Sequence, residues 1–151
     1  MTTLKATLHD DLTTAIKARD RLRSATLRLT LSAIGYEETA GKTARELSDE
    51  EVLKIITREV KKRRDAAEAF EKGGRAESAA RERAEAELLT GYLPAQLTEE
   101  ELAAVVAAAV GESGATGPSA MGAVMKLIRP KVAGRAEGAR VAAEVKRQLA
   151  G

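Results

Sequence analysis

Apolar residues recur three or four positions apart along almost the whole sequence, which is the spacing of one face of an α-helix. Ala, Leu, Glu, Lys and Arg, all strong helix formers, dominate the chain, whereas aromatic residues make up only 2% of it. A sheet core would be hard to build from so few strand-favouring side chains. The sequence therefore predicts an all-α protein with an N-terminal helical domain of about four helices and a small three-helix tail domain.

Several helix boundaries are marked by residues that supply or interrupt backbone hydrogen bonds. Ser48 is followed three positions later by Glu51, and Thr98 is followed in the same way by Glu101, which is the pattern of a capping box. The glycine pair at 73–74 is expected to stop the long helix that begins after Ser48. These signals predict where the third and fifth helices start.

The second helix has apolar residues on two faces. One stripe consists of Leu22, Ala25, Leu29 and Ala33, and the other consists of Leu27, Leu31 and Ile34. A helix that is apolar on two faces is expected at the centre of its bundle.

The segment 91–97 (GYLPAQL) is expected to separate two domains, 1–91 and 92–151. Gly91 interrupts the helical pattern, and Pro94 disfavours a helical conformation at Leu93. A new helix start follows at Thr98, so the pattern resumes on the other side of the break.

The chain offers little for covalent or metal chemistry. It has no Cys and a single His, His9, on the polar side of the first helix, so thiol chemistry and a His/Cys metal site are excluded. Glycine-rich phosphate loops are missing. The acidic runs at 49–51 and 99–101 suit first helical turns, where negative charge complements the helix dipole, with a metal or acid/base pair as the alternative. No catalytic residue and no cofactor is expected.

Positive charge is concentrated towards the C-terminus. From residue 113 onward there are seven basic and two acidic residues, a net charge of +5 in a chain that carries +2 overall. The seven are Lys126, Arg129, Lys131, Arg135, Arg140, Lys146 and Arg147. Aromatic residues for base stacking are missing from this segment, so contact with phosphates of structured RNA is expected rather than single-strand reading. An ordinary solvated surface is the alternative.

A second basic cluster lies in the middle of the third helix and consists of Arg58, Lys61, Lys62, Arg63 and Arg64. Consecutive residues step by about 100° around a helix, so these side chains cannot form one patch. Part of the cluster is expected to pair with neighbouring acids such as Asp65 and Glu68. A secondary nucleic-acid contact is the competing interpretation.

The sequence contains no sign of a membrane or secretory segment. No apolar run approaches the ~18 residues that a membrane span requires. The N-terminal residues Met1 to Lys5 lead directly into a charged amphipathic pattern, without the apolar core of a signal peptide. A cytoplasmic protein with no membrane partner is expected.

An ordered set of motifs resembles the YqeY-like (GatB/YqeY) family. The motifs are 26–29 (TLRL), 59–66 (EVKKRRDA), 91–102 (GYLPAQLTEEEL), 121–125 (MGAVM) and 130–138 (PKVAGRAEG). The C-terminal part is similar to the tail domain of GatB, the B subunit of the tRNA-dependent amidotransferase. The resemblance implies a helical domain joined to a tail that helps to hold tRNA. It therefore implies an accessory protein that binds tRNA or another structured RNA, alone or beside a complex of aminoacyl-tRNA metabolism.

The same resemblance would carry the label of a carbon–nitrogen ligase with glutamine as amide donor. In the amidotransferase this chemistry lies in a cradle domain and in another subunit, for which a chain of 151 residues has no room. Two alternatives stay open beside RNA binding. One is a subunit that donates or receives a helix in a translation-related protein complex, and the other is a glutamine-dependent ligase component.

Overall fold

The computed structural model describes residues 2–151, which contain seven α-helices and no strand. The helices are α1 (Leu4–Lys17), α2 (Arg21–Thr39), α3 (Asp49–Lys72), α4 (Ala76–Thr90), α5 (Glu99–Ser113), α6 (Met121–Val132) and α7 (Gly138–Ala150). A short 3-10 turn, Pro118–Ala120, leads into α6. The predicted all-α fold is confirmed.

Both predicted capping boxes are present. The Ser48 hydroxyl accepts from the Glu51 N–H at 3.2 Å, and the Glu51 carboxylate accepts from the Ser48 N–H at 2.9 Å. Thr98 and Glu101 form the same reciprocal pair at 3.1 and 3.0 Å. Each box satisfies two donors that a helix start would otherwise leave unpaired, which fixes the first residues of α3 and α5.

The helices form two compact units that divide between Leu93 and Pro94. The first contains α1 to α4, and α3 and α4 form its most extensive helix pair. Its core is built from Leu8, Leu27, Ile34, Val52, Ile55, Ile56, Val60, Ala86 and Leu89. Tyr92 and Leu93 pack against this core. The boundary expected from sequence, between residues 91 and 92, stays a prediction.

The second unit contains α5, the 3-10 turn, α6 and α7. Its core is built from Leu97, Leu102, Val106, Ala109, Ala120, Val124, Ile128, Val132, Val141 and Val145. These residues recur at helical spacing, so α5, α6 and α7 each turn one apolar face inward. The basic residues on which the RNA interpretation rests lie on α6 and α7, except for Arg135, which lies in the turn between them.

The two apolar stripes of α2 are buried to different extents. Leu27 and Ile34 are fully buried, whereas Leu29 on the other stripe is 56% exposed. α2 contacts α1, α3 and α4, which agrees with the central position expected for it. The fully buried residues of α2 lie on the side of Leu27 and Ile34, and Ala33 of the other stripe also packs against the core, whereas Leu29 is exposed.

Candidate nucleic-acid interface

The outer face of α6 carries two of the predicted RNA contacts. Lys126 and Arg129 are exposed and three positions apart, so they lie on the same side of the helix. Val124 and Ile128 hold the opposite side in the core of the second unit. Neither cation has a hydrogen-bond or ion-pair partner within residues 2–151. Both are therefore available to an anionic partner.

Two other predicted contacts, Lys131 and Arg147, are exposed but paired with glutamates. The Lys131 ammonium nitrogen lies 3.1 Å from a Glu112 carboxylate oxygen. Arg147 donates two hydrogen bonds to the Glu144 carboxylate, at 2.9 and 2.6 Å. These bonds, together with one from Gln148, lower the pKa of Glu144 to about 2. A single surface ion pair is weak, so Lys131 can exchange Glu112 for a phosphate more readily than Arg147 can leave Glu144.

Arg135 and Arg140 are half-buried and bind backbone carbonyls. Arg135 Nε donates to the Ala95 carbonyl at 3.1 Å, and Arg140 Nη2 donates to the Leu97 carbonyl at 3.3 Å. The Leu97 N–H in turn donates to the Arg135 carbonyl at 2.8 Å. These bonds hold the segment Pro94–Leu97 against the turn between α6 and α7. The structure thus gives both arginines a structural partner in place of the free surface position that the RNA interpretation assumed.

Lys146 completes the predicted set. It is exposed on α7 and has no hydrogen-bond or ion-pair partner in the described part of the chain. Of the seven predicted residues, Lys126, Arg129 and Lys146 are thus the free cations, and Lys131 is a weakly held one.

The folded second unit is nearly neutral. Residues 94–151 contain seven basic and six acidic residues, a net charge of +1. The +5 counted from residue 113 omits the glutamates at 99, 100, 101 and 112, which belong to the same compact unit. Attraction of RNA must therefore come from the placement of individual cations rather than from a strong positive field of the whole unit.

Arg63 of the secondary cluster is a buried residue. Its side chain is 6% exposed, with Nη1 at 2.9 Å from Glu59 Oε1 and Nε at 3.4 Å from Glu85 Oε2 on α4. A guanidinium held in this way cannot reach a phosphate on a nucleic acid. Arg63 is therefore removed from the candidate RNA contacts, because α3 turns its side chain towards α4.

The other members of the secondary cluster point to several sides of α3 and are exposed. Arg58 lies 3.2 Å from Glu37, Lys61 lies 2.9 Å from Asp65, and Lys62 lies 3.9 Å from Glu59. Arg64 is exposed and has no such partner among residues 2–151. The expected pairing with neighbouring acids is confirmed for Lys61 and Asp65.

A group of cations that the sequence interpretation missed surrounds the turn between α1 and α2. Lys17, Arg19, Arg21 and Arg28 are exposed and have no hydrogen-bond or ion-pair partner in the part of the chain that the structure describes. An open groove of about 420 Å³ lies at this turn, lined by Ile16, Arg19, Arg21, Ser24, Ala25 and Arg28. Residues 17–28 contain five basic residues and one acid, so a running charge count along the sequence would have found the group.

Two further properties concern the described residues as a whole. Within 2–151, no group of three or more His, Cys, Asp or Glu side chains is arranged to hold a metal ion. No helix in that range is both long and apolar enough to cross a membrane.

The fold and these surfaces define an all-helical protein of two compact units whose candidate site is a set of unpaired surface cations. The chain belongs to the YqeY-like family, since the family model described as Yqey-like protein matches residues 5–149. It is also similar to the Uncharacterized protein C22F3.15 of Schizosaccharomyces pombe, with 31% identity over 91 residues, 60% of this chain and 72% of the relative. The family membership expected from the motifs is confirmed, and the similarity to the GatB tail stays a prediction.

Proposed function

We propose that this protein is an accessory protein that binds tRNA or another structured RNA through the outer face of α6. The observation that carries the proposal is the pair Lys126 and Arg129, exposed on one side of α6 and free of partners within residues 2–151. Lys131 lies on the same helix and is held within residues 2–151 by a surface ion pair with Glu112. The core residues of α6 hold this face in place, so the cations are presented on a rigid element.

The charge arrangement favours contact with the phosphate backbone. Phosphate contacts give affinity and register but little sequence information. If Lys126, Arg129 and Lys131 each neutralise about one phosphate, the logarithm of the binding constant should fall with the logarithm of salt concentration with a slope of roughly −2 to −3. We expect moderate affinity from so few phosphate contacts. The protein would act alone or beside a complex of aminoacyl-tRNA metabolism.

The test is the affinity of the full chain for total tRNA, measured by electrophoretic mobility shift at several salt concentrations. The double variant K126E/R129E should weaken binding at least about tenfold, because two phosphate contacts become repulsive. The matched control is K62E/R64E, two exposed cations on α3, which should change affinity by less than about twofold. Absent binding at low salt, or equal losses in the two double variants, would overturn the proposal.

A further inference from the structure

The side of α2 that the first unit leaves uncovered is a continuous surface, here named the α2 stripe. It consists of Arg21, Ala25, Arg28, Leu29, Ser32 and Tyr36, which recur at helical spacing along one side of the helix. Leu29 is 56% exposed and Tyr36 is 77% exposed. Ile16, at the end of α1, is 46% exposed and adjoins the stripe through the groove. Large apolar side chains are thus exposed together on one side of the unit.

The two edges of the α2 stripe differ chemically. Residues seven positions apart lie at nearly the same angle around a helix, so Arg21 and Arg28 share one edge while Leu29 and Tyr36 share the other. The groove of about 420 Å³ extends the basic edge with Arg19 and places Ile16 and Ala25 beside it. Arg19, Arg21 and Arg28 have no hydrogen-bond or ion-pair partner within residues 2–151. The surface therefore offers three free guanidinium groups beside an apolar ridge.

The backbone at Arg19 supplies an independent observation. Among residues 2–151 it is the non-glycine residue with a positive φ, 57°. The turn is a helix end in which the Asp20 N–H donates to the Ala15 carbonyl at 2.9 Å and the Arg19 N–H donates to the Ile16 carbonyl at 3.1 Å. Glycine is the favoured residue at this position of such an end, since it adopts a positive φ without strain. Arg19 thus has a positive φ at a position that favours glycine, and its side chain lines the groove.

We infer that the α2 stripe and the groove bind an acidic amphipathic helix of a partner protein. Leucine-like side chains of the partner would pack on Ile16, Leu29 and Tyr36, while its carboxylates would pair with the arginines on the basic edge. Arginine and tyrosine beside exposed apolar residues are typical of the centres of protein interfaces. A helix laid along a groove is a common mode of peptide recognition.

Two other occupants fit the surface less well. An RNA backbone would pair with the arginines but would gain little from contact with Ile16 and Leu29. A second copy of the chain, packed with its α2 antiparallel to the first about a two-fold axis, would bring the Arg21–Arg28 edges of both copies to the same side. Like charges would then face each other, which costs free energy. The partner that complements both edges carries negative charge along one side and apolar residues along the other.

The experiment measures binding of a labelled synthetic helical peptide to the full chain by fluorescence anisotropy. The probe has Leu at helical spacing on one face and Glu along one edge, and the control peptide has the same composition in scrambled order. Saturable binding of the probe alone is expected, with R28E and L29D each weakening it at least about tenfold. The double variant R21E/R28E should prefer a peptide with Lys in place of Glu, because exchanging both charges restores complementarity.

The variant R19G separates binding from folding. It should raise the midpoint of thermal unfolding, because glycine relieves the strained backbone, and should also weaken peptide binding, because one guanidinium is lost. A loss of binding in a more stable protein cannot arise from misfolding. Peptide affinity unchanged by R19G and R28E, or equal binding of the scrambled peptide, would overturn the inference.

The remaining outcomes identify the competing occupants. A loss of tRNA binding in R21E/R28E that exceeds the loss in K126E/R129E would assign the surface to nucleic acid. Self-association that L29D abolishes in analytical ultracentrifugation would assign it to a second copy. Each result overturns the inference. K126E/R129E should leave peptide affinity unchanged. This result keeps the inference independent of the RNA proposal, which can fail or succeed without it.

Discussion

The hydroxyl of Tyr92 donates a hydrogen bond to the carboxylate of Asp11 on α1. Burial, together with this bond, raises the pKa of Tyr92. We expect Tyr92→Phe to lower the free energy of unfolding by about 1–2 kcal/mol, because the part-buried Asp11 carboxylate loses its donor. Urea denaturation measures the change. Tyr36→Phe is the matched control, since Tyr36 is 77% exposed, and an equal loss in both variants would contradict the assignment.

Glu144 gives the second unit a defined response to acid. Its pKa is about 2, below the ordinary value of 4.5, because Arg147 and then Gln148 donate to its carboxylate. The folded chain therefore gains stability from ionised Glu144 above pH 4.5, and that gain disappears as the pH falls towards 2. We expect Arg147→Ala to raise the pKa of Glu144, as measured by NMR titration of its carboxyl carbon. Lys146→Ala is the neighbouring control, and an unmoved pKa in Arg147→Ala would refute the stated cause.

The partners of charged side chains could be predicted from sequence only where the two residues are close together in the chain. Lys61 and Asp65 are four positions apart and were expected to pair, as they do. The acceptor of Arg140 is the Leu97 carbonyl, 43 positions away, and the partner of Lys131 is Glu112, 19 positions away. Such contacts depend on how helices pack, so charge counting overstated the number of cations available in the second unit.

The ion pairs of Arg63 join α3 to α4 at a largely buried position. Glu59 and Glu85 have side chains only 13% and 10% exposed, and the Arg63 guanidinium lies close to both carboxylates. We expect Arg63→Ala to destabilise the protein by about 3 kcal/mol, because it leaves the two largely buried carboxylates with only longer contacts to the exposed cations Lys62 and Arg81. The measurement is chemical denaturation beside Arg64→Ala, which removes an exposed neighbour and should cost less than about 0.5 kcal/mol. Similar costs for the two variants would show that Arg63 contributes no more than a surface residue.

Helix ends and helix faces differed in how well the sequence predicted them. The starts of α3 and α5 were predicted correctly because each capping box involves residues three positions apart. The exposure of Leu29 on α2 was not predicted, because the pattern of apolar residues does not show which of them a neighbouring helix covers. The buried threonines Thr26 and Thr30 lie on its covered side, where their hydroxyls donate to carbonyls one turn earlier, at 2.8 and 2.9 Å. Apolarity alone therefore missed both the exposed Leu29 and the buried threonines.

The two units have separate hydrophobic cores that share no residue. Ile56 and Val124 are each fully buried, one in each core. We expect Ile56→Ala to destabilise by about 2–5 kcal/mol and Val124→Ala by somewhat less, since a smaller side chain is removed. Amide hydrogen exchange should show lost protection in the unit that carries each substitution. Equal loss of protection in both units from either variant would show that they unfold together.

The hydrogen bonds from Arg135 and Arg140 to the carbonyls of Ala95 and Leu97 determine at which residue a fragment of the second unit should begin. A fragment that starts at Glu99 would keep every helix of the unit but would remove both acceptors and leave two half-buried guanidinium groups unsatisfied. A fragment that starts at Pro94 keeps both acceptor carbonyls. Because the segment Pro94–Leu97 is bound within the unit, residues 94–151 could be fused to the C-terminus of different proteins without redesign of the helices.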